Sequence, residues 1–186
     1  MATTDAPEQT IEIQTPAPVS FRIPTSWEID HDVAEVFSLK RQPVLRQLIV
    51  SCVSEGRLAG EIVMISADTS VMPSPVALAQ RLIAHARLQG LQMGGATLQQ
   101  VPASEGMDAL HYIHPKSNFA EQPMDTPILV IEAGEIKIGI LLISPSHEVS
   151  PAWSAYNRTT FEFIVQSFRF PKHAMEKNEP PSSPKT

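Results

Sequence analysis

Residues Ile128 to Ser144 constrain the fold more than any other stretch of this chain. Two runs, Ile128 to Ala133 and Glu135 to Ser144, are short, apolar and rich in valine, isoleucine and leucine, as strands are. Gly134 stands between them, and a glycine there permits the positive φ that a tight hairpin turn requires. Side chains alternate across a strand, so Ile136, Ile138, Ile140 and Leu142 fall on one face of the second run and Leu141 and Ile143 on the other. Both faces therefore need cover.

Two helical segments can supply it. The first starts at Ser74-Pro75, where serine can accept the orphan N–H groups of the first turn and proline gives up a donor that would be unpaired anyway. It should stop at Gly90, and it carries Ala79, Leu82, Ile83 and Ala86 along one face. The second starts at Ser150-Pro151 and carries Trp153, Thr160, Phe161, Ile164, Val165 and Phe168 at helical spacing. Further strands are expected at Val19 to Ile23, Leu48 to Val53, Glu61 to Ala67 and Met107 to His114, with a weaker one at Leu98 to Val101. Most strand-to-strand connections are too short for a crossover helix. The pattern predicts an α+β domain, a mostly antiparallel sheet sandwiched by helices.

With 186 residues, 42% of them hydrophobic, the chain can build one core of ordinary size. We place a single domain at residues 19–171, between a disordered N-terminal tail (1–18) and a disordered, proline-rich C-terminal tail (172–186). A net charge of −6 without a basic stripe argues against a nucleic-acid partner. No apolar stretch reaches membrane-spanning length and none resembles a signal peptide, so a cytoplasmic protein without membrane insertion is expected. The single cysteine, Cys52, sits in an apolar run and is expected to be a buried, reduced thiol.

The segment Phe21-Arg22-Ile23-Pro24-Thr25-Ser26-Trp27 is similar to the F-x-x-P-x-x-W opening of the PsbP-like superfamily of α/β/α sandwiches. Strands, a middle helix, more strands and a last helix closing on Gln166-Ser167-Phe168-Arg169-Phe170 follow in that family's order, and the resemblance covers Val19 to Pro171. It implies a non-enzymatic binder. Members include photosystem II extrinsic subunits, a Ran-binding nuclear-transport factor, DcrB-like proteins and Eag-type chaperones that hold hydrophobic segments for secretion. Ile65-Ser66-Ala67-Asp68 departs from the arginine that those chaperones tend to carry after the corresponding strand. The partner the resemblance implies is a protein client or an assembly partner, and an uncovered apolar patch would serve that client or a homodimer.

Candidate chemistry is sparse. His111 and His114, near Asp108, are residue types that ligate transition metals, but positions three apart on a strand point to opposite faces. One half-buried and one exposed histidine, and no metal site, are expected. An enzyme using His111 or His114 would instead bring one of them together with His147, Glu148 or Asp108 around a pocket. Asp30-His31-Asp32 reads as a solvated loop, with no second converging group for acid–base work. No phosphate-cradling loop or nucleophile elbow occurs, so no catalytic residue and no cofactor are expected. For protein binding we single out Met93, within Gly90 to Gly95, as a binding lip. Phe119 and Met124 lie in a long connection from Phe119 to Pro127. Phe163 lies off the apolar stripe of its helix and reads as an exposed contact. The remaining aromatics, Trp27, Trp153, Phe161 and Phe168, should pack in the core.

Overall fold

The computed structural model describes residues 7–14, 18–36 and 43–170; the expected C-terminal tail lies outside them. In chain order the strands are β1 (Glu8–Ile13), β2 (Val19–Pro24), β3 (Glu28–Val36), β4 (Pro43–Ser54) and β5 (Arg57–Asp68). Helix α1 (Pro75–Leu88) follows, then β6 (Gln92–Met93), β7 (Gln99–Val101), β8 (Ala109–Ile113), β9 (Ser117–Phe119) and β10 (Gln122–Asp125). The chain closes with β11 (Ile128–Ala133), β12 (Ile136–Pro145) and α2 (Pro151–Ser167).

The β11–β12 hairpin forms as its sequence requires, antiparallel, with Gly134 at φ 58° in the turn. β12 is the spine of the main sheet, whose strand order is β3-β4-β5-β12-β11-β8-β7 with every pair antiparallel. It pairs with β5 on one side from Ile136 to Ile143 and with β11 on the other from Ile136 to Leu141. Its far end, Ser144 and Pro145, pairs instead with β10, which continues through β9 to β6.

Each face of β12 receives its cover. Helix α1 lays Leu78, Leu82 and Ala86 on Val63, Ile65, Val130 and Leu141. The helix comes so close that a Cβ on Gly139 would stand 2.8 Å from both Leu78 and Leu82, which is why a glycine interrupts this apolar strand. Ser74 caps α1 by accepting the Ala77 N–H at 3.2 Å. The opposite face, with Ile138, Ile140 and Leu142, is covered by Phe161, Ile164, Val165 and Phe168 of α2 together with the β1–β2 hairpin. Phe21 and Phe168 stack at 5.1 Å, and Ser20 and Arg169 exchange two backbone hydrogen bonds, joining the two ends of the domain. The result is a helix-covered sheet, an α/β/α sandwich. Ser150 begins α2 but makes no side-chain cap bond, unlike Ser74.

Three expectations are corrected. Residues Glu8 to Ile13, assigned to a disordered tail, form β1: Ile13 enters the core while its neighbours face water, and all six residues pair with β2. Asp30-His31-Asp32 lies on a strand, not a loop: β3 pairs with β4 at the sheet edge, and Glu28 to Ala34 are exposed there. The Phe119 to Pro127 connection contains β10, which forms a tight hairpin with β9 through Ala120 and Glu121. Among the described residues no helix is long and apolar enough to cross a membrane. Cys52 is buried on β4, and burial pushes its thiol pKa up.

Candidate functional site

Helix α1 buries one stripe and leaves a second, flanking one for something else. Leu78, Leu82 and Ala86 are covered by the sheet, while Val76 is 51% exposed and Ile83, seven positions on, is half-buried. Facing these two residues across a trough runs Gly94 to Leu98, a stretch that belongs to no strand. Gly94 anchors it by donating its N–H to the Lys116 carbonyl at 2.8 Å, and Leu98 leads into the edge strand β7. The trough has a volume of about 640 Å³; Ala79 and Ile113 line it together with Val76, Ile83 and Leu98. Arg87 sits at its rim, held by a 3.0 Å hydrogen bond to the Met93 carbonyl. Apolar walls beside backbone that is outside any ladder are the two ingredients of a site for an extended peptide.

A second concavity, of about 540 Å³, lies at the far end of β12 between the β9–β10 hairpin and α2. It is polar. Asp125, 5% exposed, accepts two hydrogen bonds from Arg158 at 2.6 and 2.7 Å and one from His114 Nε2 at 2.7 Å. A buried carboxylate is stable in such company because its charge is matched and its oxygens are bonded. His147, Glu148 and Lys116 line the same concavity. The Ser146 hydroxyl, also in its wall, is buried with no hydrogen-bond partner among the described residues.

The histidines separate as the strand geometry requires. His111 is half-buried and pairs with Glu132 at 2.7 Å, whereas His114 is exposed and turns to Asp125. His114, His147 and Glu148 do meet around one concavity; His111 and Asp108 belong elsewhere, and Asp108 accepts the Gly134 N–H in the β11–β12 turn. Among the described residues no group of three or more His, Cys, Asp or Glu is placed to hold a metal ion.

Of the residues singled out for protein binding, Met93 is 7% exposed and packs in the α1-side core, so it offers no lip to a partner. Its side chain points inward because β6 lies on the sheet whose face α1 covers. Phe119 is 47% exposed beside Gly90, and Met124 lines the polar concavity. Phe163 is half-buried against the α2-side core, with the Arg22 guanidinium 5.3 Å above its ring, so it is not the open contact expected of it. These four residues do not come together in one site. Of the residues that do form the trough, Val76 was singled out by no motif, Ile83 was read as part of the stripe facing the sheet, and Leu98 as the start of a weak strand. The signal was present in the spacing of Val76 and Ile83, which widens the apolar face of α1 beyond what one sheet covers.

No family model matches the sequence, and no curated protein matches it. Solved structures do. The solution structure of cyanobacterial PsbP (CyanoP) from Synechocystis sp. PCC 6803 matches at 12% identity with a TM-score of 0.53, covering 91% of this chain and 95% of that one. The Ran-binding protein Mog1p of Saccharomyces cerevisiae matches at 10% identity with a TM-score of 0.50, covering 88% of this chain and 95% of that one. A mutant of Mog1 matches at 11% identity with a TM-score of 0.52, again covering 88% of this chain and 95% of that one. At such identities the likeness speaks for architecture alone. The chain has the PsbP-like α/β/α fold.

Proposed function

We propose that this chain is a non-catalytic protein-binding module, acting in the cytoplasm as a chaperone or adaptor, that takes an extended apolar segment of another protein into the trough between α1 and Gly94 to Leu98. The observation that carries this reading is the pairing of an apolar helix wall with a backbone run outside any strand. Main-chain groups of such a run supply affinity to an added segment, and the trough selects its alternate side chains. The shared fold with Mog1p, described as Ran-binding, supports a protein partner at the coarse level.

The test is a peptide selection on the full chain followed by fluorescence anisotropy of the selected sequences. Ile83→Glu, which puts a charge into the trough from a half-buried position, should weaken binding by about tenfold or more, a loss of at least ~1.4 kcal/mol. Phe163→Glu, on the opposite side of the sheet, should bind as the parent does. Unchanged affinity in Ile83→Glu removes the trough from the function.

A second reading, a small-molecule or catalytic role, is favoured by the meeting of His114, His147 and Glu148 around the polar concavity. His114 and Asp125 form a base and its orienting carboxylate. The Ser146 hydroxyl in that wall makes no bond to the base. Turnover of an activated ester that disappears in His114→Ala would promote this reading over the first.

A further inference from the structure

The distribution of charge around the trough says what kind of segment it takes. From Thr69 to Ser104, about a fifth of the chain, there is no aspartate or glutamate. An even spread of the chain's 20 acidic residues would place about four there. This acid-free stretch is the one that builds the trough: it contains all of α1, β6, the Gly94 to Leu98 run and β7. Its charged residues are Arg81, Arg87 and His85. Burial, followed by the nearby His31, pushes the His85 pKa down, and of the two arginines Arg87 is the one that lines the trough. Arg87 lines the trough itself, and Lys116 lies beside its anchor at Gly94. On a chain whose net charge is −6, the one charged side chain lining the trough among the described residues is thus a cation, Arg87. Glu28, Asp30, Asp32 and Glu35 are all on the edge strand β3, and Glu61 bonds Gln89 at the end of α1; none of these carboxylates lines the trough.

We infer that the trough, read as a peptide site, takes an extended apolar segment flanked by aspartate or glutamate. Carboxylates at the ends of the segment meet Arg87 while the apolar side chains enter between Val76, Ile83 and Leu98. Ion pairs at such a solvated rim are each worth about two- to fivefold in affinity. Their larger effect is on the rate of encounter and on the rejection of basic segments, both of which salt weakens.

This inference rests on the trough being the binding site, and the experiment separates the two. Two labelled synthetic peptides share a core of alternating valine and serine; one is flanked by aspartate and glutamate, the other by lysine. Anisotropy titrations use the full chain at low and high salt. The acidic peptide should bind about fivefold or more tightly at low salt, the gap should fall below about twofold at high salt, and Ile83→Glu should abolish binding of both. Arg87→Gln, which keeps a donor for the Met93 carbonyl, should narrow the gap, and Arg87→Glu should reverse it. Equal affinity for the two peptides, with both lost in Ile83→Glu, overturns the charge inference and leaves the trough standing. Binding of neither peptide, or binding indifferent to Ile83→Glu, overturns both.

Discussion

Asn157 is the polar pin that fixes α2 to the sheet, and it yields a prediction whose sign is set by geometry. The side chain is fully buried; Nδ2 donates to the Ala59 carbonyl at 2.7 Å and to Ser144 Oγ at 2.9 Å. Gly60 leaves room for it, since a Cβ there would lie 2.6 Å from Nδ2. Asn157→Ala removes two hydrogen bonds worth about 1 kcal/mol each and strands the Ala59 carbonyl at about 1–2 kcal/mol more. Loss of Oδ1, itself buried without a partner among the described residues, returns about 1 kcal/mol. With a small void added, the net cost is about 3 kcal/mol. Gly60→Ala alone should cost about 2 kcal/mol, because its methyl displaces the amide from those same bonds. In the double variant the methyl occupies space the amide has left, so the total should be about 3 kcal/mol, well short of the sum. Urea denaturation followed by the fluorescence of Trp27 and Trp153, both packed in the α2-side core, measures each corner of the cycle. Additivity within about 0.5 kcal/mol would refute the claim that Gly60 exists to admit Asn157.

Other expectations follow from the same kind of reasoning. Ala120 and Glu121 both hold left-handed backbone at φ 47° and 68° in the β9–β10 turn, so Ala120→Asn with Glu121→Gly should stabilise the domain by about 1–2 kcal/mol in the same denaturation assay. Gly139→Val drives a branched side chain into Leu78 and Leu82 and should cost about 3 kcal/mol or more, read as a lowered melting temperature or loss of soluble protein. Burial, only partly offset by Gln89, raises the Glu61 pKa above its ordinary value of 4.5. Its folded state therefore holds the proton more tightly than the unfolded chain does, and stability falls as pH rises from that value through the raised one. Glu61→Gln should be more stable than the parent at neutral pH and lose that advantage toward pH 4, as paired melting curves across that range would report.

The parts of the fold that were legible are those where one local signal agrees with the need for burial. Ser74-Pro75 and Ser150-Pro151 mark both helix starts to the residue, and Gly134 marks the hairpin between two runs that nothing but strands could explain. The parts that were not are those with no apolar excess to read. β3 is exposed from Glu28 to Ala34, so it carries charge where a half-buried strand would alternate. β1 hides because only Ile11 and Ile13 break a polar run flanked by prolines, and its pairing with β2 supplies what its composition lacks. For the candidate site the difficulty was depth. Methionine is apolar at the surface or in the core, and nothing in Gly90 to Gly95 says that Met93 turns inward while the glycines beside it stay outside. The Asp125–Arg158 pair joins residues far apart in sequence, and only the folded β10 and α2 bring them together.

The central place of β12 sets an order on the birth of this molecule. Synthesis runs from the N-terminus, and β1 to β11 have all left the ribosome before Ile136 appears. By then β3, β4 and β5 can have folded as a meander of short-range hairpins, which form quickly. The inner border of β5, from Glu61 to Asp68, has no neighbour until β12 arrives, and β7, β8 and β11 reach the meander only through β12. An unpaired strand as apolar as Ile62-Val63-Met64-Ile65 invites any other open strand nearby. The nascent chain is thus most vulnerable to aggregation between the emergence of β5 and that of β12. A shortage of folding assistance in that interval would cost yield even where the finished domain is sound.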